Sequence, residues 1–360
     1  MFSLDFLSFS PWLNGVIFAV TAGLVWWAGT HISRSADTLS ERLNLGKAFV
    51  GLLFLALATE TPEIATTVTA TVRNNPSLAL NNVFGGIVMQ TAILVVVDVA
   101  LVRGALTFFA PRPVLLLQGM LLILLLSFTA AAIVFGEKVM LGGVGLWTLL
   151  LFGGYVVTLY LSQQYEGEEQ WQPSDEPEEV KQEEAGKEPE REKLEREQQG
   201  RSTGQLGLLF LGGTAVILLA GMVLARVAEA LAEQTGLGTS FIGGTLLAAS
   251  TSLPELSTTI MAVRLGNYQM AVSNIFGSNS IMIALLFLAD IFYREGPILN
   301  AAGNPALFMT AMGIAVTALY LVGMVERRNR TVLRMGFDSV LVLACYLVSI
   351  GLLYVMRGQA

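Results

Sequence analysis

Long apolar runs separated by short polar stretches organise this chain. Ten of them are long enough to cross a bilayer, where about 20 apolar residues suffice. They lie at residues 12–32, 47–73, 78–101, 113–135, 140–161, 204–230, 239–264, 270–292, 305–325 and 335–356. The runs form two groups of five around one polar stretch. The pattern predicts an all-α polytopic membrane protein with a five-helix unit over residues 1–162, a linker over 163–203 and a second five-helix unit over 204–360.

Two of these runs are broken in the same way. The second-group run carries Ser250, Thr251, Ser252, Pro254 and Glu255 inside apolar sequence. The first-group run carries Thr59, Glu60, Thr61, Pro62 and Glu63, and Glu63 precedes Glu255 by 192 positions. A carboxylate in the middle of a membrane segment is costly and marks a functional site by default. At the same offset Gly46, Phe49, Gly51 and Ala56 match Gly238, Phe241, Gly243 and Ala248. So do Thr66, Thr67, Asn75, Asn82, Phe84, Gly85 and Asp98 with Thr258, Thr259, Asn267, Asn274, Phe276, Gly277 and Asp290. Equivalent points lie five helices apart, an odd number, so the two units are expected to cross the membrane in opposite directions. The predicted architecture is ten transmembrane helices in two inverted five-helix repeats, with the second and seventh helices broken.

Inverted repeats with matching broken helices point to a secondary transporter whose site lies at the midplane. Pro62 and Pro254 each lack a backbone donor and free a carbonyl in the preceding turn. With the hydroxyls of Thr59 and Thr251, such carbonyls can face a cavity instead of lipid. Two carboxylates and several neutral oxygens then suit a hard cation; calcium takes about 6–8 oxygens at about 2.3–2.6 Å. Asn82 and Asn274, each shortly before Phe-Gly, are expected to open the turns into the third and eighth helices. Gly277, Ser278 and Asn279 allow close packing with polar groups turned inward. Asp98 and Asp290, near helix ends, read as interfacial.

Composition narrows this further. The 360 residues are 54% hydrophobic and 14% charged, and the mean hydropathy is +0.63. Of the net charge of −7, residues 163–203 hold 14 acidic against 6 basic side chains, leaving 14 against 15 elsewhere. The acidity therefore belongs to the linker, which is too polar to form a core and is expected to be disordered, with at most a short helix over 190–199. No nucleic-acid partner is implied. The single Cys345 excludes an internal disulfide, and its apolar surroundings read as packing. The lone His31 ends the first run and reads as interfacial. No basic stretch precedes the first apolar run, so no cleaved signal peptide is expected. No Gly-x-Ser-x-Gly occurs, and one histidine cannot make His-Glu-x-x-His, so an enzyme is not expected.

Basic residues in short loops set orientation. Arg34, Arg42, Lys47, Arg103, Arg112, Arg264, Arg327, Arg328, Arg330 and Arg334 fall on one side, against Arg73, Lys138, Arg226, Arg294 and Arg357 on the other. Both termini are expected outside a plasma or inner membrane, with the acidic linker in the cytoplasm.

At the two broken segments the sequence resembles the calcium/cation antiporter superfamily, especially its sodium/calcium exchanger branch. Ser250 to Glu255 and Ser273 to Asn279 lie close to the family pattern. The resemblance implies exchange of Ca2+ for Na+ by alternating access, with the bound ions as the only non-protein groups and a monomer sufficient. It further implies Glu63 and Glu255 as central ligands, the backbone oxygens of Thr59 and Thr251 beside them, Ser252 and Ser278 as sodium-site hydroxyls, and a sliding first and sixth helix. The first copy departs from it. Glu60 stands where Ser252 has its counterpart, Gly86 opposite Ser278, Ile87 opposite Asn279, and Gln90 and Met282 occupy a further pair. On a continuous helix Glu60 and Glu63 would share a face. Two carboxylates that close suit a proton carrier, so H+-coupled exchange of Ca2+, Mg2+ or Mn2+ is the alternative, and an ion channel descended from such antiporters a more distant one.

Overall fold

The computed structural model describes residues 5–42, 59–102, 104–110, 112–167, 201–264, 266–329, 331–332 and 335–357. Proline opens helix after helix, because the first turn has no use for the missing N–H. Helix α1 spans Pro11–Arg42, α2 Thr61–Val72, α3 Pro76–Leu101 and α4 Pro113–Phe135. A two-stranded hairpin follows, β1 Met140–Leu141 and β2 Val144–Gly145, turning on Gly142 and Gly143 at φ 63° and 91°. Helices α5 Leu146–Gly167 and α6 Thr203–Thr235 flank the acidic segment. Ser202 caps α6 with a reciprocal bond to Gln205.

The seventh apolar run is broken into α7, Thr239–Thr251, and α8, Leu253–Arg264, which meet at 44°. Within α7 the chain loosens into a π-helical turn, Gly243–Leu247. Gly85 packs directly on the backbone of Gly244 there, a contact that any side chain would block. Helices α9 Tyr268–Phe292 and α10 Asn304–Glu326 follow, then the hairpin β3 Thr331–Val332 and β4 Met335–Gly336, and finally α11 Phe337–Val355.

Among the described residues eight helices are long and apolar enough to cross a membrane, and α7 with α8 makes a ninth if taken as one span. The expected spans 140–161 and 335–356 begin later, at Leu146 and Phe337, because the hairpins occupy their first residues. The expected span 47–73 is seen only from Thr59; residues 43–58, with Gly46, Lys47, Phe49, Gly51 and Ala56, lie outside the described residues. So do 168–200 of the acidic segment, Arg103, Arg330 and Arg334.

Burial shows what sits at the centre. The spans of α3 and α9 are 78% and 72% buried, against 28–44% for the other long ones. These two helices are therefore wrapped by the rest, while the others turn one face outward. Among the outer helices α1 and α6 pack chiefly on each other, and they meet the remainder mainly through α2, α7 and α8. His31 is half-buried against Trp27, and Cys345 is half-buried at the edge of the core.

The two aspartates at equivalent positions each clasp the other half of the chain. Asp98 accepts from Leu106 N at 2.8 Å, Gly336 N at 2.9 Å and Ser339 Oγ at 2.6 Å. Asp290 accepts from Ile298 N at 2.7 Å, Gly145 N at 2.6 Å and Thr148 Oγ1 at 2.8 Å. Each pins the N-terminus of the last helix of the opposite half, where a negative charge is favoured.

Candidate functional site

The two breaks are built alike. Glu60 sits at the start of α2 with φ −76° and ψ 0°, and Ser252, its counterpart, joins α7 to α8 with φ −79° and ψ 9°. Pro62 and Pro254 follow within the first turn of α2 and α8. Pro254 has no N–H to offer the carbonyl of Ser250 one turn back, so the helical ladder lapses where the chain bends.

The turns beyond the breaks also repeat. Asn74 at φ 59° and Gly266 at φ 75° adopt the left-handed conformation at matching positions. Asn75 and Asn267 then cap α3 and α9 by accepting from Leu78 N and Met270 N, both through Oδ1. This corrects the expectation for Asn82 and Asn274, which stand two turns inside those helices. Their amides brace the broken helices instead. Asn82 Nδ2 donates to Thr66 Oγ1 at 3.2 Å, and Thr66 in turn donates to the carbonyls of Pro62 and Glu63. Asn274 Nδ2 donates to Thr258 Oγ1 at 2.9 Å, and Thr258 to those of Pro254 and Glu255.

Glu60, Glu63 and Glu255 are each 0% exposed, and none of their six carboxylate oxygens has a hydrogen-bond partner. The three lie close enough for their charges to act on one another. Their neighbours are exchanged between the halves: Glu63 faces Thr251, and Glu255 faces Thr59. Glu60 faces Ser278 and Gln90. Around them Gln90 uses neither end of its amide, and the hydroxyls of Ser252 and Ser278 and Oδ1 of Asn82 are buried without partners. The structure thus brings together Thr59, Glu60, Glu63, Gln90, Thr251, Glu255 and Ser278, and sets Asn82 and Asn274 one layer out. Ser252 marks the bend, with its hydroxyl unused.

Three more polar groups join this region that sequence reasoning did not single out as site residues. Thr67 and Thr259 are buried with unpartnered hydroxyls. Asn279 donates from Nδ2 to Thr91 Oγ1 at 3.2 Å across the two halves, keeping Oδ1 free. The matching of Thr67 with Thr259 was the available signal, as was the inward polarity expected of Asn279; its pairing with Thr91 had none.

A buried unpartnered acceptor costs about 1–3 kcal/mol, and more when charged. Most of the buried polar side-chain atoms without partners among the described residues are concentrated here. Among those residues no three His, Cys, Asp or Glu side chains form a metal site by themselves. A cation held here would therefore draw on carbonyl, hydroxyl and amide oxygens as well as carboxylates.

Comparison with known proteins bears on the fold and the family. CaxA of Alkalimonas amylolytica, named as a candidate antiporter, is 26% identical over 324 residues, which is 86% of this chain and 92% of that protein. The solved H+/Ca2+ exchanger CAX is similar in fold, with a TM-score of 0.66 at 12% identity, covering 96% of this chain and 85% of that one. The sodium-calcium exchanger NCX_Mj, soaked with 100 mM Na+ and 10 mM Sr2+, superposes with a TM-score of 0.60 at 16% identity, covering 95% and 99%. A family model described as sodium/calcium exchanger protein matches residues 13–161 and 206–355, and the chain belongs to that family.

Proposed function

We propose that the protein exchanges Ca2+ for Na+ across the membrane by alternating access, with calcium held between Glu63 and Glu255. The observation that carries this reading is the group of three fully buried carboxylates whose oxygens lack partners. Ionising these carboxyls in an empty site costs several kcal/mol per charge, a cost that a bound cation offsets. An empty site of that kind crosses the membrane reluctantly, which favours exchange over one-way leak. Backbone oxygens at Thr59 and Thr251 and the side chains of Glu60, Gln90, Ser252 and Ser278 complete the proposed ligand set, with Asn82 and Asn274 as braces.

The architecture proposed with it is ten transmembrane helices in two inverted five-helix repeats, 1–162 and 204–360, joined by a cytoplasmic acidic linker and with both termini outside. Support comes from the matched breaks at Glu60 and Ser252, the matched caps at Asn75 and Asn267, and the reciprocal aspartate clasps. The proposed moving part is the α1–α6 pair. Gly29 of α1 meets the ring of Pro254, and Gly221 of α6, its counterpart, meets Pro62 and Ala65. Smooth glycine surfaces at both contacts allow the pair to slide over the broken helices.

A proton-coupled cycle is the second reading, and Glu60 is what favours it. A third carboxylate replaces the serine of the other copy, and it lies beside Ser278 and Gln90 and close to the central pair. Uptake of radioactive calcium into proteoliposomes decides the matter. Uptake driven by an outward sodium gradient supports the first reading, and uptake driven only by an outward proton gradient replaces it with the second. Calcium entry that needs neither gradient would mean a channel. Glu255→Gln should abolish driven uptake; retention of wild-type rates would overturn the site.

A further inference from the structure

Both helices of the α1–α6 pair carry the same spacing of charge. Arg226 and Glu229 in α6 stand at the offset of 192 from Arg34 and Asp37 in α1. In α6 the acid is engaged. Glu229 accepts from Arg73 Nε at 2.6 Å and from Asn75 Nδ2 at 3.2 Å, both in the turn between α2 and α3. Arg73 lies eight residues beyond Ala65, and Glu229 eight beyond Gly221, which packs on Ala65. So α2 and α6 run side by side in the same sense, and this contact closes their far end. The turn is a firm anchor. Arg73 caps the C-terminus of α2, where a cation is favoured. Asn75 keeps Oδ1 on Leu78 N while Nδ2 serves Glu229. The matching turn in the other half is built differently. Asn267 keeps its cap, but its Nδ2 faces Met270 Sδ at 3.6 Å. Leu265 stands where Arg73 does, and Arg264 falls one residue earlier, about 100° away around a helix.

We propose that Glu229, Arg73 and Asn75 form a one-sided latch that holds α6 to the rest of the bundle and makes the state seen here the resting one. This inference rests on the sliding of α1 and α6 proposed above and adds which state predominates when no ion is bound. A slide of one helical turn, about 5.4 Å, would carry Glu229 out of reach of both partners. The repeat offers no equal hold in return. At the opposite turn Asp37 would have the amide of Asn267 to meet, but no arginine in the place of Arg73. The latch is also weak enough for a cycle. The side chains of Arg73 and Glu229 are 46% and 26% exposed, so water competes for the pair and salt screens it. A fully buried pair would resist separation far more strongly.

The test uses the purified full-length chain carrying Cys345→Ala, with spin labels at Thr235→Cys near the end of α6 and at Lys138→Cys beyond α4, both exposed positions. In calcium-free buffer the label distance should show two populations, with the one that matches this structure in excess. Glu229→Gln and Arg73→Gln should each lower the ratio of that population to the other by about two- to fivefold. Arg73→Glu combined with Glu229→Arg should restore most of the loss, which a general weakening of the fold would not. Choline chloride at about 1 M, where the screening length is about 3 Å, should shift the wild type as Glu229→Gln does and leave that variant unmoved. Unchanged ratios in both single variants, or a double swap no better than the singles, would overturn the latch while two populations still upheld the sliding. A single population in every chain, with or without calcium chloride, would overturn the sliding and the latch together.

Discussion

Replacing Asp98 isolates the clasp that joins the two halves of the chain. The carboxylate is 0% exposed and accepts from Leu106 N at 2.8 Å, Gly336 N at 2.9 Å and Ser339 Oγ at 2.6 Å. Alanine would leave three donors facing a dry void. Hydrogen bonds to a charged acceptor contribute about 1.5–3 kcal/mol each. Burying the charge costs part of that back, so the loss expected for the group is about 3–5 kcal/mol, as for other broken buried networks. Asparagine is the finer probe. Its oxygen keeps one backbone donor and its amide can donate to a rotated Ser339 hydroxyl, which strands one N–H and costs about 2 kcal/mol. Asp290, with acceptor bonds of 2.7, 2.6 and 2.8 Å, should respond by similar amounts. The assay is thermal unfolding in detergent, alongside calcium binding below the transition. Melting temperature should fall from wild type through Asn to Ala at both positions, while the Asn variants keep calcium affinity close to wild type. If Asp98→Asn melted at the wild-type temperature yet lost about tenfold or more in calcium affinity, Asp98 would belong to the transport route and the clasp argument would be wrong.

Three further expectations follow from the site. In calcium-free buffer Glu63→Gln and Glu255→Gln should melt no lower than wild type, because each replaces a buried carboxyl whose oxygens lack partners; clear destabilisation of both would show that the carboxylates serve the fold. Calcium at about a hundredfold excess over its Kd should stabilise the wild type by about 2.7 kcal/mol, and the Glu255→Gln chain by far less, as read from melting with and without calcium. Gly29→Val and Gly221→Val should slow calcium exchange severely while leaving equilibrium calcium binding in place. A Cβ at Gly29 falls 2.7 Å from a carbon of Pro254, and at Gly221 2.6 Å from that of Ala65; wild-type exchange in both variants would exclude sliding at these contacts.

Much of this was legible in the sequence because membrane solvent is so selective. A carboxylate beside proline in an apolar run has few structural explanations, and Glu63 and Glu255 do converge with Thr59 and Thr251 facing them. What stayed hidden was everything that depends on register in three dimensions. Hydropathy counts Met140, Leu141 and Val144 as membrane sequence whether they form helix or hairpin; only the Gly142–Gly143 pair hinted at the turn. Asn82 and Asn274 looked like turn residues because Phe-Gly follows, yet the left-handed positions at Asn74 and Gly266 had already reversed the chain about two turns earlier. Met282 lays its terminal methyl on Gly86, nearly two hundred positions away, and no local pattern announces that contact. Likewise the aspartates read as interfacial by position, and two of the three partners of each lie in the far half of the chain.

The reach of those partners bears on how the protein is made. Asp98 and Gly336 are 238 residues apart, whereas Asp290 finds Gly145 already synthesised, 145 residues behind it. At roughly 5–20 residues per second, Asp98 waits on the order of ten to fifty seconds after translation before its last acceptor sites are filled. Throughout that interval only Leu106 N answers the carboxylate, and Oδ2 lacks both of its partners. The clasp is therefore completed only once the start of α11 has been made. A ribosome stalled in the acidic segment should leave a half-protein marked for membrane quality control.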